Sequence, residues 1–430
     1  MSGVNVRVEV EHLTRVEGHG NIVLDVKNGE IKKLEWTVVE APRLFEAMLR
    51  GRRWDEVHHI ACRICGICSV SHTCASLRAT EAAMDIPISD QTLKLRKLIF
   101  HGEMIQSHVL HVYLLAAPDL LGVGSVFPLI QTHREVVLRA MRMKKLANDI
   151  SHVIGGRHVH PISLIPGGFA ALPKREALEG LRERLEACKA DLEATVDLVK
   201  ALKLPDFERE TEYVSLRMPE EYAFYEGLIY SSDAGPAPVE HYREVTNEFV
   251  VPHSTAKHAR WHRNSYMVGA LARVNNNYGM LRPEAKAAAE AMGFKAPCFN
   301  PFMNNVAQVV ETAHCVYDAI AVLDELLQKG LQQEAFKVEP KAGRGIGVVE
   351  APRGILFHDY EYGDDGRIVR ANCIIPTNQN HESIEDDFRA LVPKILDRPQ
   401  DEVRHTLEML VRAYDPCISC STHYLDVTFI

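Results

Sequence analysis

Apolar and polar positions alternate through the first forty residues, in VRVEVE, then NIVLDV, then IKKLEWTVVE. A period of two puts one face of an extended strand against a core and the other towards solvent. Between the second and third segments stands Asn28-Gly29, a pair that accepts the left-handed backbone of a tight hairpin. The pattern predicts a small antiparallel sheet. After Cys65 the period lengthens, and helices are predicted near residues 91–117 and 126–154. The clearest helix starts at Pro173, where Leu178, Leu181, Leu185, Cys188, Leu192, Val196, Val199 and Leu202 recur every three or four residues with charges between. Cys188 lies on that stripe and reads as a small core residue. Further helices are predicted near 255–275, 282–292, 304–331, 383–397 and 401–413. Residues 340–376 return to strands and turns, with Asp365-Gly366 as a hairpin turn.

The expected class is therefore mainly α with small β elements (α+β). A long-helix bundle is joined by an N-terminal antiparallel sheet and a small β region before the C-terminus. No linker, repeat or Pro/Ser-rich tract divides the 430 residues, so 1–430 reads as a single domain, although this length exceeds the roughly 250–300 residues at which one core usually splits. The 46% hydrophobic and 25% charged content is that of an ordinary globular protein. A net charge of -9 without a long basic run argues against nucleic acid, because phosphate binding needs clustered Lys and Arg. The most apolar stretch, Val109 to Val123, is interrupted by Pro118 and Asp119 and is shorter than the roughly 20 residues of a membrane span. The start MSGVNVRVEVEH lacks the basic and apolar runs of a secretory signal, so cytoplasmic residence is expected. Ten unevenly placed cysteines suit metal or catalytic use better than a disulfide scaffold.

The chemistry concentrates in two C-x-x-C pairs at opposite ends of the chain, Cys65-Gly66-Ile67-Cys68 and Cys417-Ile418-Ser419-Cys420. Four soft thiolates suit zinc, an iron-sulfur cluster or nickel, so ligand type alone leaves the metal open. A structural zinc site draws its pairs from one short module, which this spacing contradicts. Cys62-x-x-Cys65-x-x-Cys68 imitates the start of a ferredoxin motif, but Ser69-Val70-Ser71-His72 follows where a cysteine and a proline are needed. A disulfide within either pair remains open at this level.

Taken together, Arg63-Ile64-Cys65-Gly66-Ile67-Cys68 with His72, and Asp415-Pro416-Cys417-x-x-Cys420-x-x-His423, resemble the two signature ends of nickel-iron hydrogenase large subunits. Arg15-Val16-Glu17-Gly18-His19, Pro42-Arg43-Leu44-Phe45-Glu46, Gly155-Gly156-Arg157 with His160-Pro161, Pro166-Gly167-Gly168 and Ala351-Pro352-Arg353-Gly354 extend the likeness through the chain. The resemblance implies reversible heterolytic cleavage of H2. Cys65 and Cys417 would be terminal nickel ligands. Cys68 and Cys420 would bridge nickel to an iron carrying carbon monoxide and cyanide. Arg353 would overhang the open site, oriented by Asp119 and Asp415 through bidentate hydrogen bonds. Glu17 would take the proton passed on from Cys417, a task suited to a carboxyl whose pKa is raised by burial. His72 would hydrogen-bond near a bridging thiolate rather than ligate.

By the same resemblance, Glu46, His423 and the backbone carbonyl of Cys373 would hold a structural magnesium or iron ion. The histidine-rich stretch from Pro252-His253-Ser254 through Lys257-His258 to Ser265-Tyr266 resembles the cytosolic multimeric branch of the family. Cys62, Cys74, Cys188, Cys298, Cys315 and Cys373 have no cluster spacing, so electrons would leave through an iron-sulfur small subunit and further flavin, NAD(P), ferredoxin or heterodisulfide-linked subunits. Residues 424–430 continue past His423 and match an extension removed by a maturation protease after nickel-insertion factors have acted. The alternative is a metal-free structural or quinone-site subunit related to respiratory complex I. Retention of all four thiols weighs against it.

Overall fold

The computed structural model describes residues 4–334 and 338–423. The opening alternation forms an antiparallel sheet of Val6–Val10, Gly20–Lys27 and Glu30–Val38. Asn28 and Gly29 both have positive φ, 53° and 81°, as the hairpin requires. One face buries Ile22, Leu24, Val26, Trp36 and Val38. Trp36 then ties the sheet to helix Pro376–Ile395: its backbone N–H donates to Glu385 Oε1 at 3.0 Å and its indole N–H to His381 Nδ1 at 2.9 Å.

The helical body packs Asp90–Leu110, Arg134–Gly155, Arg175–Ala201 and Asn304–Lys329 together. In the third of these, Leu178, Leu181, Leu185, Cys188, Leu192 and Val199 are all buried, and Cys188 sits among them as a core residue. Pro301–Lys329 is long and apolar enough to cross a membrane, but 78% of its apolar window is buried within the protein.

A second sheet, Gly343–Ala351, Gly354–Tyr362 and Ile368–Ile374, lies directly on helix Ser69–Met84. The contact depends on glycine. A Cβ at Gly343, Gly345 or Gly347 would fall 2.1, 2.1 and 1.9 Å from the carbonyl oxygens of Ala83, Ala79 and Ala75. Alternate strand positions therefore meet every fourth helix position backbone to backbone. Ala351 pairs with Gly354, so Pro352 and Arg353 are the two-residue tip of a hairpin held rigidly against the core.

Three departures from the sequence pattern stand out. Residues 255–275 are not one helix: only Ala270–Asn277 is helical, after the two-residue strand Tyr266–Met267. Polar ties hold the preceding irregular segment in place, with His262 on Glu212 at 2.8 Å and Arg263 on Glu210 at 2.9 Å. A four-stranded sheet of Glu212–Arg217, Leu228–Ser231, Gly235–Ala237 and Tyr266–Met267 fills the middle of the chain, where the pattern gave no strands. Through the apolar Val109–Val123 stretch the chain is helical and largely buried as far as Leu120, but His111–Ala116 widens into a π-helical turn, the kind of irregularity that re-aims side chains near functional sites.

Candidate metal centre

The two C-x-x-C segments lie side by side. Cys65 and Cys68 occupy the loop between the turn Cys62–Ile64 and helix Ser69–Met84, while Cys417 immediately precedes the short helix Ile418–Ser421 and Cys420 lies within it. Arg43 holds the two loops together, donating from Nη2 to the carbonyls of Ile64 and Ser419, each at 2.7 Å. Cys65 Sγ stands 3.6 Å from Cys417 Sγ and accepts the N–H groups of Ile67 and Cys68 at 3.3 and 3.4 Å. The sulfurs of Cys65, Cys417 and Cys420 lie within 4.8 Å of one another, and Cys68, Cys420 and a ring nitrogen of His72 form a second such group. All four cysteines are buried and free, so neither pair is a disulfide.

The protons of this cluster are unevenly held. Hydrogen bonds from Cys417, Cys420 and Cys68, with the Arg353 charge, hold Cys65 well below the usual thiol range. Cys68, Cys417 and Cys420 are pushed well above it, since neighbouring sulfurs and burial both disfavour further thiolates. A divalent or trivalent cation can replace those protons and let all four sulfurs ionise. Two buried donor sites beside the cluster also lack partners, His72 Nε2 and Arg353 Nη1. His72 is fixed by its other nitrogen, Nδ1, 3.1 Å from His358 Nε2, and His358 is held in turn by Tyr360 at 2.6 Å. Soft donors, absent disulfides and orphaned polar atoms together fit a metal centre.

Arg353 reaches over the cluster from its hairpin tip. Its Nε donates to the Asp415 carbonyl at 2.7 Å and its Nη2 to Asp415 Oδ1 at 2.8 Å, while Gln308 Nε2 donates to Oδ2 at 3.0 Å. Burial alone would weaken its charge, but Asp415, Cys417, Cys65 and Cys68 favour the cation. Asp119, expected beside Arg353, instead accepts from Arg412 Nη1 at 3.0 Å on both oxygens and from Arg15 Nη2. No hydrogen bond joins Asp119 to Arg353 among the described residues. Asp119 thus anchors the loop of Arg15-Val16-Glu17 and the helix Gln400–Ala413 that precedes Asp415.

Glu17 is half-buried and bridges Cys417 in parallel: its carbonyl accepts from Ile418 N at 2.9 Å and its carboxylate from Ser419 N at 3.0 Å. On the other side, Glu103 accepts from Val70 N at 2.6 Å and from Ser71 N at 2.9 Å, capping the helix that begins beside Cys68. Burial pushes its carboxyl up to about 8. The sequence offered one sign of Glu103, an acidic residue inside the apolar run around Ile99-Phe100 and Met104-Ile105.

A further cluster closes the chain's end onto its beginning. His423 Nδ1 lies 3.1 Å from Glu46 Oε1 and its Nε2 2.9 Å from Glu248 Oε1. Glu46, Cys373 and His423 line a common cavity of about 10 Å³, room for one water-sized occupant. Glu248, which also meets Lys257 at 3.0 Å and Asn378 at 2.8 Å, has no local sequence signal and was not anticipated. Burial opposes charge on both partners. The carboxylates outweigh it at His423, raised to about 9, and His423 with Lys257 outweighs it at Glu248, which stays below the ordinary range. The expected extension, 424–430, lies outside the described residues.

Comparison with known proteins gives the chain as a whole its relatives. A family profile described as nickel-dependent hydrogenase matches residues 43–134 and 219–423. The chain is similar to sulfhydrogenase 1 subunit alpha of Pyrococcus furiosus, with 34% identity over 98% of this chain and 99% of the relative. It is also similar to the NAD-reducing hydrogenase HoxS subunit beta of Cupriavidus necator, with 26% identity over 97% and 95%. Among solved structures, an NAD+-reducing [NiFe]-hydrogenase in the H2-reduced state superposes with TM-score 0.88 and 28% identity, covering 98% of this chain and all of that one.

Proposed function

The chain belongs to the nickel-dependent hydrogenase family and cleaves H2 to protons and electrons at a nickel-iron centre, and from that premise we propose how its own residues serve the reaction. The observation that carries the proposal is the convergence of four buried free cysteines from opposite ends of the chain under the Arg353 guanidinium.

Cys65, Cys68, Cys417 and Cys420 would hold the two metals, Cys65 and Cys417 serving nickel and Cys68 and Cys420 serving both nickel and an iron that would carry carbon monoxide and cyanide. When bound, such a centre would supply the Lewis acidity that polarises H2 and the redox capacity that takes up its electrons. Arg353, braced by Asp415 and with Nη1 uncommitted, presents a fixed positive charge beside the cysteine cluster. His72 keeps a ring nitrogen within 4.8 Å of the Cys68 and Cys420 sulfurs, and its unpartnered Nε2 would tune a metal-bound thiolate by hydrogen bonding once the centre is in place. The Cys417 sulfur takes one proton of H2, and Glu17 receives it next, because the strand-like bridge sets the two residues beside each other at the edge of the buried site. Asp119 acts at one remove by fixing the Arg15 to Glu17 segment.

Glu46, His423 and the Cys373 carbonyl would hold a magnesium or iron ion, with Glu248 as an additional carboxylate. Electrons leave through an iron-sulfur small subunit to a nicotinamide-, ferredoxin- or heterodisulfide-linked partner, a reading supported by relatives named as subunits of larger hydrogenases. Ten free cysteines suit the reducing cytoplasm. A metal-free quinone-site role is not favoured, since it leaves the four thiols unused. The test is Glu17→Gln, which keeps the Ser419 N–H contact and removes the acid. Exchange between D2 and solvent protons should fall at least ~100-fold with nickel and iron content unchanged. Exchange at the wild-type rate would take Glu17 out of the proton path.

A further inference from the structure

The segment between Glu248 and the strand Tyr266–Met267 is irregular, yet it carries two histidines that converge on helix Pro376–Ile395. A ring nitrogen of His253, one of His258 and a carboxylate oxygen of Glu385 lie within 4.8 Å of one another. None of these belongs to the thiol cluster or to the Glu46–His423 pair. Two of the three are fully enclosed, with His258 0% and Glu385 2% exposed.

His258 is oriented as a ligand is. Its Nδ1 is held 2.7 Å from Glu382 Oε2, and its Nε2 is buried with no hydrogen-bond partner. A carboxylate on one ring nitrogen fixes the tautomer that leaves the other as a lone-pair donor, the arrangement that supports metal-bound histidines. A buried imidazole nitrogen with no partner otherwise has no compensation for its lost water. Facing it, Glu385 Oε1 accepts from His253 Nε2 at 2.7 Å and from Trp36 N at 3.0 Å, while Oε2 accepts from Arg389 Nη2 at 2.7 Å. Arg389 also contacts Glu382 Oε1 at 3.2 Å, so one guanidinium balances both carboxylates. The His381 ring packs 5.7 Å from that of His258, but its nitrogens are committed to Trp36 and Ser421 and it is not a fourth ligand.

We propose that His253, His258 and Glu385 form a binding site for a divalent transition cation of the zinc class, which fastens the 249–262 segment to the N-terminal sheet and the Pro376–Ile395 helix. Two imidazoles and one carboxylate form an N2O set with a position left for water, which favours zinc over magnesium or calcium. Binding displaces one proton from the His253–Glu385 hydrogen bond and needs no other reaction. The partly exposed His253 gives the ion a route in.

The test uses the purified heteromeric complex, incubated with zinc, desalted and analysed for zinc and nickel. Wild type should keep one zinc per chain more than either His258→Gln or His253→Gln, with nickel content and H2 oxidation equal in all three. Nickel content shows whether His258→Gln has folded, and where it has not, the partly exposed His253→Gln carries the comparison. Cobalt(II) should give visible d–d bands in wild type that both variants lack. Equal zinc in wild type and in a nickel-loaded variant would overturn the proposal. Zinc loss accompanied by nickel loss in His253→Gln would overturn it too, because the residue would then belong to the principal centre.

Discussion

Two regions a few residues apart bury charge in opposite ways. Behind the Arg353 hairpin, Arg273 is wholly enclosed and fully paired: Nε and Nη2 meet Glu311 at 2.6 and 2.7 Å, Nη1 meets Glu350 at 2.9 Å, and the carbonyls of Ala351 and Pro352 accept at 2.8 and 2.9 Å. Glu311 in turn meets His108 at 2.8 Å and Tyr222 at 2.6 Å. In front of the hairpin, Arg353 and His72 each keep a buried nitrogen without a partner beside four thiols. The Arg273 guanidinium has every donor matched as folded and needs nothing from outside. An enclosed set of soft donors and orphaned nitrogens is complete only with an occupant.

Breaking the open region should cost function outright. Cys65→Ser removes a thiolate at the centre of the cluster, and nickel content and H2 oxidation should both fall to background while the chain, reduced by one atom's change, still folds. Breaking the closed region should cost stability instead. Arg273→Met strands two buried carboxylates and should destabilise by about 3–5 kcal/mol, read from the denaturation midpoint. An equal loss of nickel in both variants at unchanged midpoint would erase the distinction between the regions.

The hairpin that separates them can be tested through its glycine seat. Gly347→Ala sets a Cβ 1.9 Å from the Ala75 carbonyl oxygen and must shift strand or helix backbone. Overpacking of this kind costs about 1–3 kcal/mol, and it should lower activity as well, because it moves the base of the Arg353 tip. The smallest effect is one of pH. At Glu311 burial raises the carboxyl, but Arg273 and His108 outweigh it and hold it at about 2, whereas burial holds Glu350 up at about 7. Glu311 therefore contributes stability above its unfolded pKa, near ~4.3, and loses it as pH falls towards 2. Glu350 acts with the opposite sign, favouring the fold as pH falls from 7 to its unfolded value. Glu311→Gln should flatten the acid limb below pH ~4 and, by removing a charge that helps hold Glu350 up, make the slope between 5 and 7 shallower without abolishing it.

The same contrast explains what could be read from the sequence. The ends of the chain announced themselves, because thiolate pairs, the Pro352-Arg353-Gly354 turn and the alternating first strands are local patterns. The four cysteines do converge, and Arg353 does stand over them with Asp415. Partners chosen across the fold were not legible. Asp119 finds Arg412 and Arg15 rather than Arg353, and Glu248 reaches His423 from 175 positions away. The middle sheet escaped because Glu212–Arg217 is buried on both faces and so does not alternate. Residues 255–275 misled because side-chain ties to Glu212 and Glu210 override their helical spacing. Periodicity records the direction of the core, and it is silent on which distant side chain completes a pair.

The most direct test of the four-thiol centre is nickel K-edge absorption on the purified complex. Cysteine coordination from both ends of the chain predicts one nickel per chain in a shell dominated by sulfur, with a sulfur lost or replaced in any residual nickel of Cys417→Ser. A shell of nitrogen and oxygen alone, or a spectrum identical in wild type and Cys417→Ser, would contradict it.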